Sequence, residues 1–356
     1  MSSRLCNPSP YLTIRAAPGS LHAVNSGYLN IRAWFVLVLS ASWLVVAANA
    51  QTTPFVIDDD AYEDKVTEAS AKLLHGGKLK TSESMRRQVH TRGASVPLAP
   101  VGHEKVAAPD LYERLRESTL SVGAYYKCPD CGKWHFNSSA GFVVGSGGII
   151  STCCHVVLGE EEDVKESYLV AADSTGHVFP VTAVVAADTE ADTCFLKIDA
   201  PNLKPLPLRS GVRPGERVFC LSHPGGYHYM FTEGLVARLN RKRNEVLDEH
   251  GQTNGLLTRP ILFLNVTAEF APGSSGAAIV DESGNVVAQV ASIADAGDPG
   301  NGDDNTPPSP SVPVRFCTAS EEILRLAEPR PEGKPEGRIP KPKDHAPKAD
   351  GRKPKE

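Results

Sequence analysis

The sequence lacks several features by which common functional classes are recognised. It has no excess of basic residues, since its formal net charge is −5 at pH 7, and this balance argues against a general nucleic-acid-binding protein. Only one Cys-x-x-Cys pair occurs, so there is no four-cysteine zinc site. What remains is ordinary: 41% of the 356 residues are hydrophobic and 22% are charged. These values are typical of a globular protein with one large or two modest domains.

The sequence also lacks an apolar run of comfortable membrane-spanning length. The longest run, residues 33–47, follows Arg32 and is followed by the small-x-small sequence Ala48-Asn49-Ala50. This arrangement predicts a signal peptide over residues 1–50 that is cleaved near Ala50. The mature protein would then be periplasmic or secreted, where disulfides are permitted. The alternative is an uncleaved anchor, and only then would the protein contact a membrane.

The segments before and after the central region show little regular spacing of apolar residues. Residues 51–110 are polar and read as a leader or linker of unknown role, with one candidate helix whose apolar stripe is Tyr62, Val66, Ala69 and Leu73. Residues 327–356 alternate proline with lysine and arginine, which predicts a disordered tail. Short helices are expected at 111–116 and 320–327.

From Thr119 onward, short apolar runs are separated by turn signals, with no long helical period between them. This pattern predicts an all-β sandwich or barrel. The eleven predicted strands cover residues 120–126, 141–144, 149–152, 167–172, 178–185, 194–198, 217–221, 234–239, 261–266, 277–280 and 286–293.

Three residues in this region suggest nucleophilic catalysis. Ser275 lies in a glycine-containing turn ahead of an apolar strand, but a serine hydroxyl needs a base and an oxyanion site to react. His155, expected at the end of a strand, is the candidate base, and Asp192, just before another strand, is its candidate orienter. Asp188 is a rival for that role. The chain order His, Asp, Ser at three strand–loop junctions makes the combination far stronger than any single residue.

At these positions the chain resembles a trypsin-like serine protease of the chymotrypsin fold, closest to the bacterial HtrA/Deg-type protease domain. Residues 152–157 match the family's Thr-Asn-x-His-Val-Val, residues 192–197 its Asp-x-Ala-x-Leu-Lys, and residues 272–278 its Pro-Gly-Asn-Ser-Gly-Gly-Pro. The resemblance implies two six-stranded antiparallel β-barrels, at about 118–205 and 206–326, within a protease domain of residues 111–326. No PDZ-like region is expected after it.

The resemblance also implies roles. Ser275 would be the nucleophile, His155 the general base and then acid, and Asp192 the residue that holds the histidine tautomer. The backbone N–H groups of Gly273 and Ser275 would form the oxyanion hole. The expected function is an exported serine endopeptidase that acts on polypeptides through an acyl-enzyme and requires no cofactor.

Three departures from the family motif keep an alternative open, that of a catalytically inactive protease-fold binding protein. They are Ser274 for Asn, Ala277 for Gly and Ala278 for Pro. Alanine at position 277 would disturb the turn if that position needs a positive φ.

Six residues before Ser275, Glu269 stands where related enzymes place the base of the S1 pocket. It would favour Lys or Arg at P1, and the alternative is a side chain that faces solvent.

The cysteines give two further hypotheses. Cys128, Cys131 and His135 resemble a zinc knuckle with a third ligand, for which a local disulfide and a plain loop are the alternatives. A redox or zinc-loop protein built on this segment is a third candidate function. In the family fold, Cys154 or Cys153 would lie near Cys194. A disulfide there would link the segment that carries His155 to the segment that carries Asp192. The alternative is that these are small buried thiols.

Overall fold

Twelve strands close into two antiparallel barrels of six. The first barrel has the strand order β1-β2-β3-β6-β5-β4 and the second has the order β11-β14-β13-β12-β7-β8. The first consists of β1 (Thr119–Lys127), β2 (Trp134–Gly145), β3 (Ile149–Thr152), β4 (Ser167–Ala172), β5 (Val178–Asp188) and β6 (Thr193–Ile198). The second consists of β7 (Arg217–Ser222), β8 (Met230–Lys242), β11 (Ile261–Val266), β12 (Ala278–Val280), β13 (Val286–Asp295) and β14 (Pro313–Ala319). The predicted all-β, chymotrypsin-like fold is confirmed.

This computed structural model describes residues 54–90, 92–159, 164–200, 202–243, 245–247, 253–295, 313–329 and 339–340. The predicted signal peptide lies outside these residues, as does most of the predicted tail. Within the described part of the chain, none of the helices has the length and apolar character needed to cross a membrane. Three further strands form a small sheet in the order β15-β10-β9. These are β9 (Glu245–Leu247), β10 (Thr253–Leu257) and β15 (Ile339–Pro340).

Each barrel is filled by apolar side chains from its own strands. Leu120, Ile150 and Leu196 are fully buried in the first barrel. Leu264 and Ile279 are their counterparts in the second. Because successive side chains of a strand point to opposite faces, the alternating runs read from the sequence supply the inward-facing residues. Two cores therefore lie side by side, and the loops between their strands meet at the junction.

The described residues form five α-helices beside the barrels. They are α1 (Asp59–His75), α2 (Ser82–Arg86), α3 (Ala108–Arg116), α4 (Cys154–Leu158) and α5 (Ser320–Leu326). The α1 helix begins at an N-cap, where the Asp58 carboxylate accepts a hydrogen bond from the Ala61 N–H. Its predicted stripe is buried at Tyr62 and Val66. The short C-terminal helix is present as expected.

The described part of the segment before β1 packs against both barrels. The Tyr62 hydroxyl donates to Ser121 Oγ of β1 at 3.1 Å, and Met85 is fully buried in the first core. The Val106 N–H donates to the Glu282 carbonyl beside the second barrel at 2.8 Å. Residues whose role the sequence left open are therefore part of the folded unit.

Candidate active site

His155 lies in the first turn of α4, just after β3. The sequence placed it at the end of a strand, but the chain leaves β3 at Thr152 and begins the helix at Cys154. Both carboxylate oxygens of Asp192 contact His155. Asp192 Oδ2 is 2.6 Å from the ring Nδ1, and Oδ1 accepts the His155 backbone N–H at 3.0 Å. This two-point contact fixes the position of the histidine and the orientation of its ring.

Asp192 has an unusual backbone conformation, with φ of 52°. Left-handed backbone is sparsely populated by residues other than glycine, although aspartate tolerates it better than most. Such positions persist where surrounding contacts hold them, and they concentrate at functional sites. Here the two hydrogen bonds to His155 hold the residue directly before β6.

The carboxylate also affects the pKa of the histidine. The hydrogen bond from Asp192 raises the pKa of His155, its charge adds to the increase, and partial burial opposes it. The His155 side chain is 50% exposed, so it is open to a substrate. Because Nδ1 is engaged by the carboxylate, Nε2 is the ring nitrogen left to exchange a proton.

The rival acid Asp188 has a different set of partners. Its Oδ1 accepts the backbone N–H groups of Glu190 and Ala191, each at 3.1 Å, and its Oδ2 is 2.7 Å from Arg259 Nη2. Its side chain is only 3% exposed. Asp188 therefore shapes the loop that leads to Asp192, and the contacts of His155 are with Asp192.

Arg259 extends this buried pair to the C-terminal helix. Its Nη1 donates to Glu322 Oε2 of α5 at 2.6 Å, and the Glu322 side chain is 4% exposed. One arginine thus joins the Asp192 loop of the first barrel to the helix that follows β14. The sequence analysis did not find it, because an arginine beside a proline in a connecting segment gives no local signal of burial.

The turn that holds Ser275 is built by backbone geometry. Gly273 and Gly276 have φ of 94° and 88°, the left-handed region that glycine adopts without strain. A Cβ added at Gly276 would lie 2.2 Å from the Ala140 carbonyl oxygen of β2. Ala277 is not among the described residues with positive φ, so the alanine there is compatible with the turn. The Ser274 hydroxyl donates to Ser222 Oγ at 3.0 Å.

The structure brings Ser275 and His155 to the same junction. The Ser275 carbonyl accepts the Ala140 N–H at 2.9 Å. A Cβ at Gly276 would lie 2.5 Å from the hydroxyl oxygen of Thr152, three residues before His155. Ser275 is half-buried. Among the residues that the structure describes, no hydrogen bond joins its hydroxyl to His155.

Gln289 of β13 connects the second barrel to the histidine segment. Its side chain is fully buried, and its Oε1 accepts the Ser151 hydroxyl at 2.6 Å. Its Nε2 lies 3.5 Å from both Cys153 Sγ and the Asp192 carbonyl oxygen. Sequence reasoning missed this residue, although a lone amide within the apolar run 286–293 was a usable signal.

Glu269 is exposed. Its backbone carbonyl accepts the Thr232 hydroxyl at 2.7 Å, while the neighbouring Phe270 is buried in the second core. The exposure agrees with the solvent-facing alternative, and the S1 role of Glu269 stays a prediction.

A cavity of about 210 Å³ lies beside His155. It is lined by Ser82, Arg86, Gly123, Ala124, Asn137 and His155 among others.

The described cysteines are all free thiols. The predicted disulfide between Cys154 and Cys194 is therefore not formed. Cys154 Sγ contacts the Thr193 carbonyl oxygen at 3.2 Å instead. The pKa of Cys154 is raised by its hydrogen bond with Cys194 and by burial, which keeps it protonated and weakly reactive. Cys153 and Cys194 are also buried, as the alternative of small core thiols expects.

Two groups of side chains within the described residues could hold a metal ion. One is Cys128, Cys131 and His135, whose ligand atoms all lie within 4.8 Å of one another. The other is Cys153, His155 and Asp192, which meets the same distance criterion. In the second group Cys153 is fully buried and Asp192 binds His155 through both of its carboxylate oxygens, whereas Cys131 and His135 of the first group are exposed. The first group is therefore better placed to receive an ion.

Comparisons with known proteins agree with the geometry. The profile of the family described as "Trypsin-like peptidase domain" matches residues 139–288, a range that includes His155, Asp192 and Ser275. The chain is 29% identical over 153 residues to "Serine protease HTRA2, mitochondrial" of Drosophila grimshawi, covering 42% of this chain and 33% of that protein. It is 30% identical over 155 residues to "Protease Do-like 1, chloroplastic" of Arabidopsis thaliana, covering 42% and 32%.

The aligned region thus spans about a third of the length of these relatives. The family match at residues 139–288 begins within β2 and ends within β13, so it excludes α1, the tip of the β1–β2 hairpin and β14. The resemblance that the three motifs indicated is confirmed for this region.

Proposed function

We propose that this chain, a trypsin-like protein of the HtrA type, is a serine endopeptidase that hydrolyses polypeptides. The observation that carries the proposal is the two-point contact between Asp192 and His155 at the junction that also holds Ser275. One carboxylate binds both the ring and the backbone of His155, and the nearby Ser275 lies in a turn with left-handed glycines at 273 and 276. A histidine with a purely structural role would require neither feature. The contact of His155 with Asp192 is the one that triad chemistry requires between a general base and its orienter.

The reaction would proceed through an acyl-enzyme. The Ser275 oxygen attacks the scissile carbonyl while His155 Nε2 takes the hydroxyl proton, and Asp192 stabilises the imidazolium that forms. The N–H groups of Gly273 and Ser275 would stabilise the oxyanion. His155 then returns the proton to the leaving amine as the C–N bond breaks. Water, deprotonated by His155, hydrolyses the ester and restores Ser275.

Substrate binding would have to bring Ser275 Oγ to His155 Nε2. Catalytic hydrogen bonds are often long or absent in unliganded enzymes and tighten in the substrate complex. The cavity beside His155 offers space for the polypeptide on one side of the scissile bond. The α2 helix forms part of its wall, and Arg86 Nη1 donates to the Gly159 carbonyl at the end of α4 at 2.9 Å.

A fluorophosphonate probe tests the proposal, because it reacts only with a serine whose proton is removed by a base. We expect labelling and casein cleavage in the wild type and their loss in Ser275→Ala, with a rate decrease on the order of 10⁶-fold. Ser146→Ala removes an exposed serine between β2 and β3 and should label normally. A folded wild type that neither labels nor cleaves would favour the protease-fold binding protein.

We also propose that the chain is exported and that residues 1–50 are removed near Ala50. The support is the sequence pattern of Arg32, the apolar run and Ala48-Asn49-Ala50. Amino-terminal sequencing of the protein from the extracytoplasmic fraction should begin at Gln51. A full-length chain in the membrane fraction would instead indicate the uncleaved anchor.

The preference at P1 rests on Glu269. If its carboxylate turns into the pocket when substrate binds, a peptide library should show cleavage after Lys or Arg. Loss of that preference in Glu269→Gln would support the assignment. A preference for small apolar P1 residues that Glu269→Gln leaves unchanged would contradict it.

A further inference from the structure

The tip of the β1–β2 hairpin carries two cysteines and a histidine that have no role in the proposed protease chemistry. The segment Cys128-Pro-Asp-Cys-Gly132 forms a tight turn that is closed by two backbone hydrogen bonds. The Gly132 N–H donates to the Cys128 carbonyl at 3.0 Å, and the Cys128 N–H donates to the Lys133 carbonyl at 2.8 Å. Gly132 has φ of 68°, which glycine adopts without strain. The two hydrogen bonds and the left-handed glycine therefore give the turn a defined shape.

The turn directs backbone donors at one sulfur. The N–H groups of Cys131 and Asp130 hydrogen-bond to Cys128 Sγ. Two convergent amide donors stabilise a thiolate, and a thiolate is the form that binds metal. A turn with this arrangement also places its two cysteines on the same side.

The third ligand comes from the opposite strand. His135 of β2 pairs with Tyr126 of β1, and its Nε2 lies 3.1 Å from Cys131 Sγ. All three ligand atoms lie within 4.8 Å of one another. In tetrahedral zinc coordination, sulfur and nitrogen ligands are separated by about 3.6–3.8 Å. The three atoms are therefore close enough to share one ion after small adjustments of their side chains.

We propose that Cys128, Cys131 and His135 bind one zinc ion through two thiolates and an imidazole. The two thiolate charges neutralise the ion, so no further charged ligand is needed. Cys131 and His135 are exposed, and Cys128 is half-buried, so the ion can enter from solvent. Water then takes the fourth coordination position.

An ion here would tie together the two strands that lead to the proposed catalytic site. Gly123, Ala124 and Asn137 of the same hairpin line the cavity beside His155. Close to the tip, Tyr125 stacks on Trp134 with ring centroids 4.6 Å apart. The zinc site lies outside the matched region 139–288.

Cobalt substitution tests the site, because a thiolate bound to Co²⁺ gives a charge-transfer band and zinc displaces cobalt. The full mature chain would be reduced, stripped with a chelator and titrated with Co²⁺. We expect one equivalent to bind and to be displaced by Zn²⁺. The double substitution Cys128→Ser/Cys131→Ser should abolish the band. His135→Gln should weaken binding at least tenfold, on the order of the effect of losing a ligand-supporting group.

Two controls separate this site from the rest of the chain. His177→Gln removes an exposed histidine that packs on Phe179 and should bind cobalt as the wild type does. His155→Ala removes one potential ligand of the second group, which consists of Cys153, His155 and Asp192. This variant should leave the charge-transfer band unchanged. Hydrogen exchange gives a readout that does not depend on the variants, since zinc should protect the amides of Asp130 and Cys131.

Three outcomes would overturn the proposal. One is a wild-type chain that shows no charge-transfer band. Another is a band that persists in the folded double variant. The third is a Cys128–Cys131 disulfide in the exported protein together with failure to bind metal after reduction. None of these outcomes bears on Ser275 labelling, so the zinc site and the proposed protease function fail or stand separately.

Discussion

The two barrels contribute to the candidate active site by different physical means. The first holds His155 and Asp192 through hydrogen bonds that these two residues make to each other. The second holds Ser275 through backbone geometry, with left-handed glycines on either side of Ser274 and Ser275. We therefore expect the first half to be sensitive to changes in charge, and the second half to be sensitive to added volume.

A second contrast lies within the first barrel, between two aspartates four residues apart. Asp188 is buried against Arg259 and shapes its loop, whereas Asp192 is partly exposed and binds His155. Substitution of Asp188 should therefore act on stability, and substitution of Asp192 should act on the reaction.

The largest expected effect is that of Asp192→Asn. The amide cannot stabilise the imidazolium and favours the wrong histidine tautomer, so kcat should fall by about 10⁴-fold, the loss known for the equivalent change in a serine protease triad. Thermal unfolding should change little, because the side chain is partly exposed. A variant with normal kcat would show that Asp192 does not act on His155 in the reaction.

Next in size is Asp188→Ala, which removes one partner of a buried ion pair. Breaking such a pair costs about 3–5 kcal/mol, and the lower end applies here because Glu322 still contacts Arg259. Denaturant unfolding measures the loss. Asp188→Asn, which keeps the acceptor for the Glu190 and Ala191 N–H groups, should lose less. Equal losses in the two variants would contradict the charge argument.

A smaller effect is expected from Gly276→Ala in the second barrel. The added methyl would meet the Ala140 carbonyl and occupy a backbone with φ of 88°, a strain of about 1–3 kcal/mol. Unfolding and fluorophosphonate labelling should both show the change. Ala277→Gly is the matched control, because position 277 needs no positive φ, and it should cost no more than about 1 kcal/mol.

The smallest effect is on the pH profile. Catalysis needs neutral His155, and Asp192 raises the pKa of this residue. Activity should therefore fall with decreasing pH around a midpoint above the usual histidine value of about 6.5. In Asp192→Asn the hydrogen bond that raises the pKa is weakened, so the midpoint of the residual activity should move to lower pH. An unchanged midpoint would assign the titration to another group.

Much of the fold was predictable from the sequence because eleven of the twelve barrel strands contain a short apolar or alternating run. The twelfth barrel strand, β14, was missed because it begins at Pro313, follows a segment rich in turn formers and carries Arg315. The α4 helix was also missed. It has only five residues, and its valines favour a strand when tertiary contacts are unknown.

The candidate site was predictable where its residues stand in short motifs, as His155, Asp192 and Ser275 do. It was not predictable where it depends on partners distant in sequence. Gln289 contacts Ser151 across the barrel junction, and its position within an apolar run indicates burial but does not identify this partner. Arg259 contacts Asp188 and Glu322, and its neighbours in the sequence give no sign of these contacts. The doubt over Ala277 likewise needed the backbone to resolve it. The tertiary arrangement places the required left-handed residue at Gly276.

The hydrogen bond from the Ala140 N–H to the Ser275 carbonyl gives the site a mechanical property. Ala140 belongs to a strand of the first barrel but packs in the core of the second, so the peptide unit of Ser275 directly connects the two barrels. A small rotation of one barrel against the other would change the distance between Ser275 and His155 while every strand stays paired.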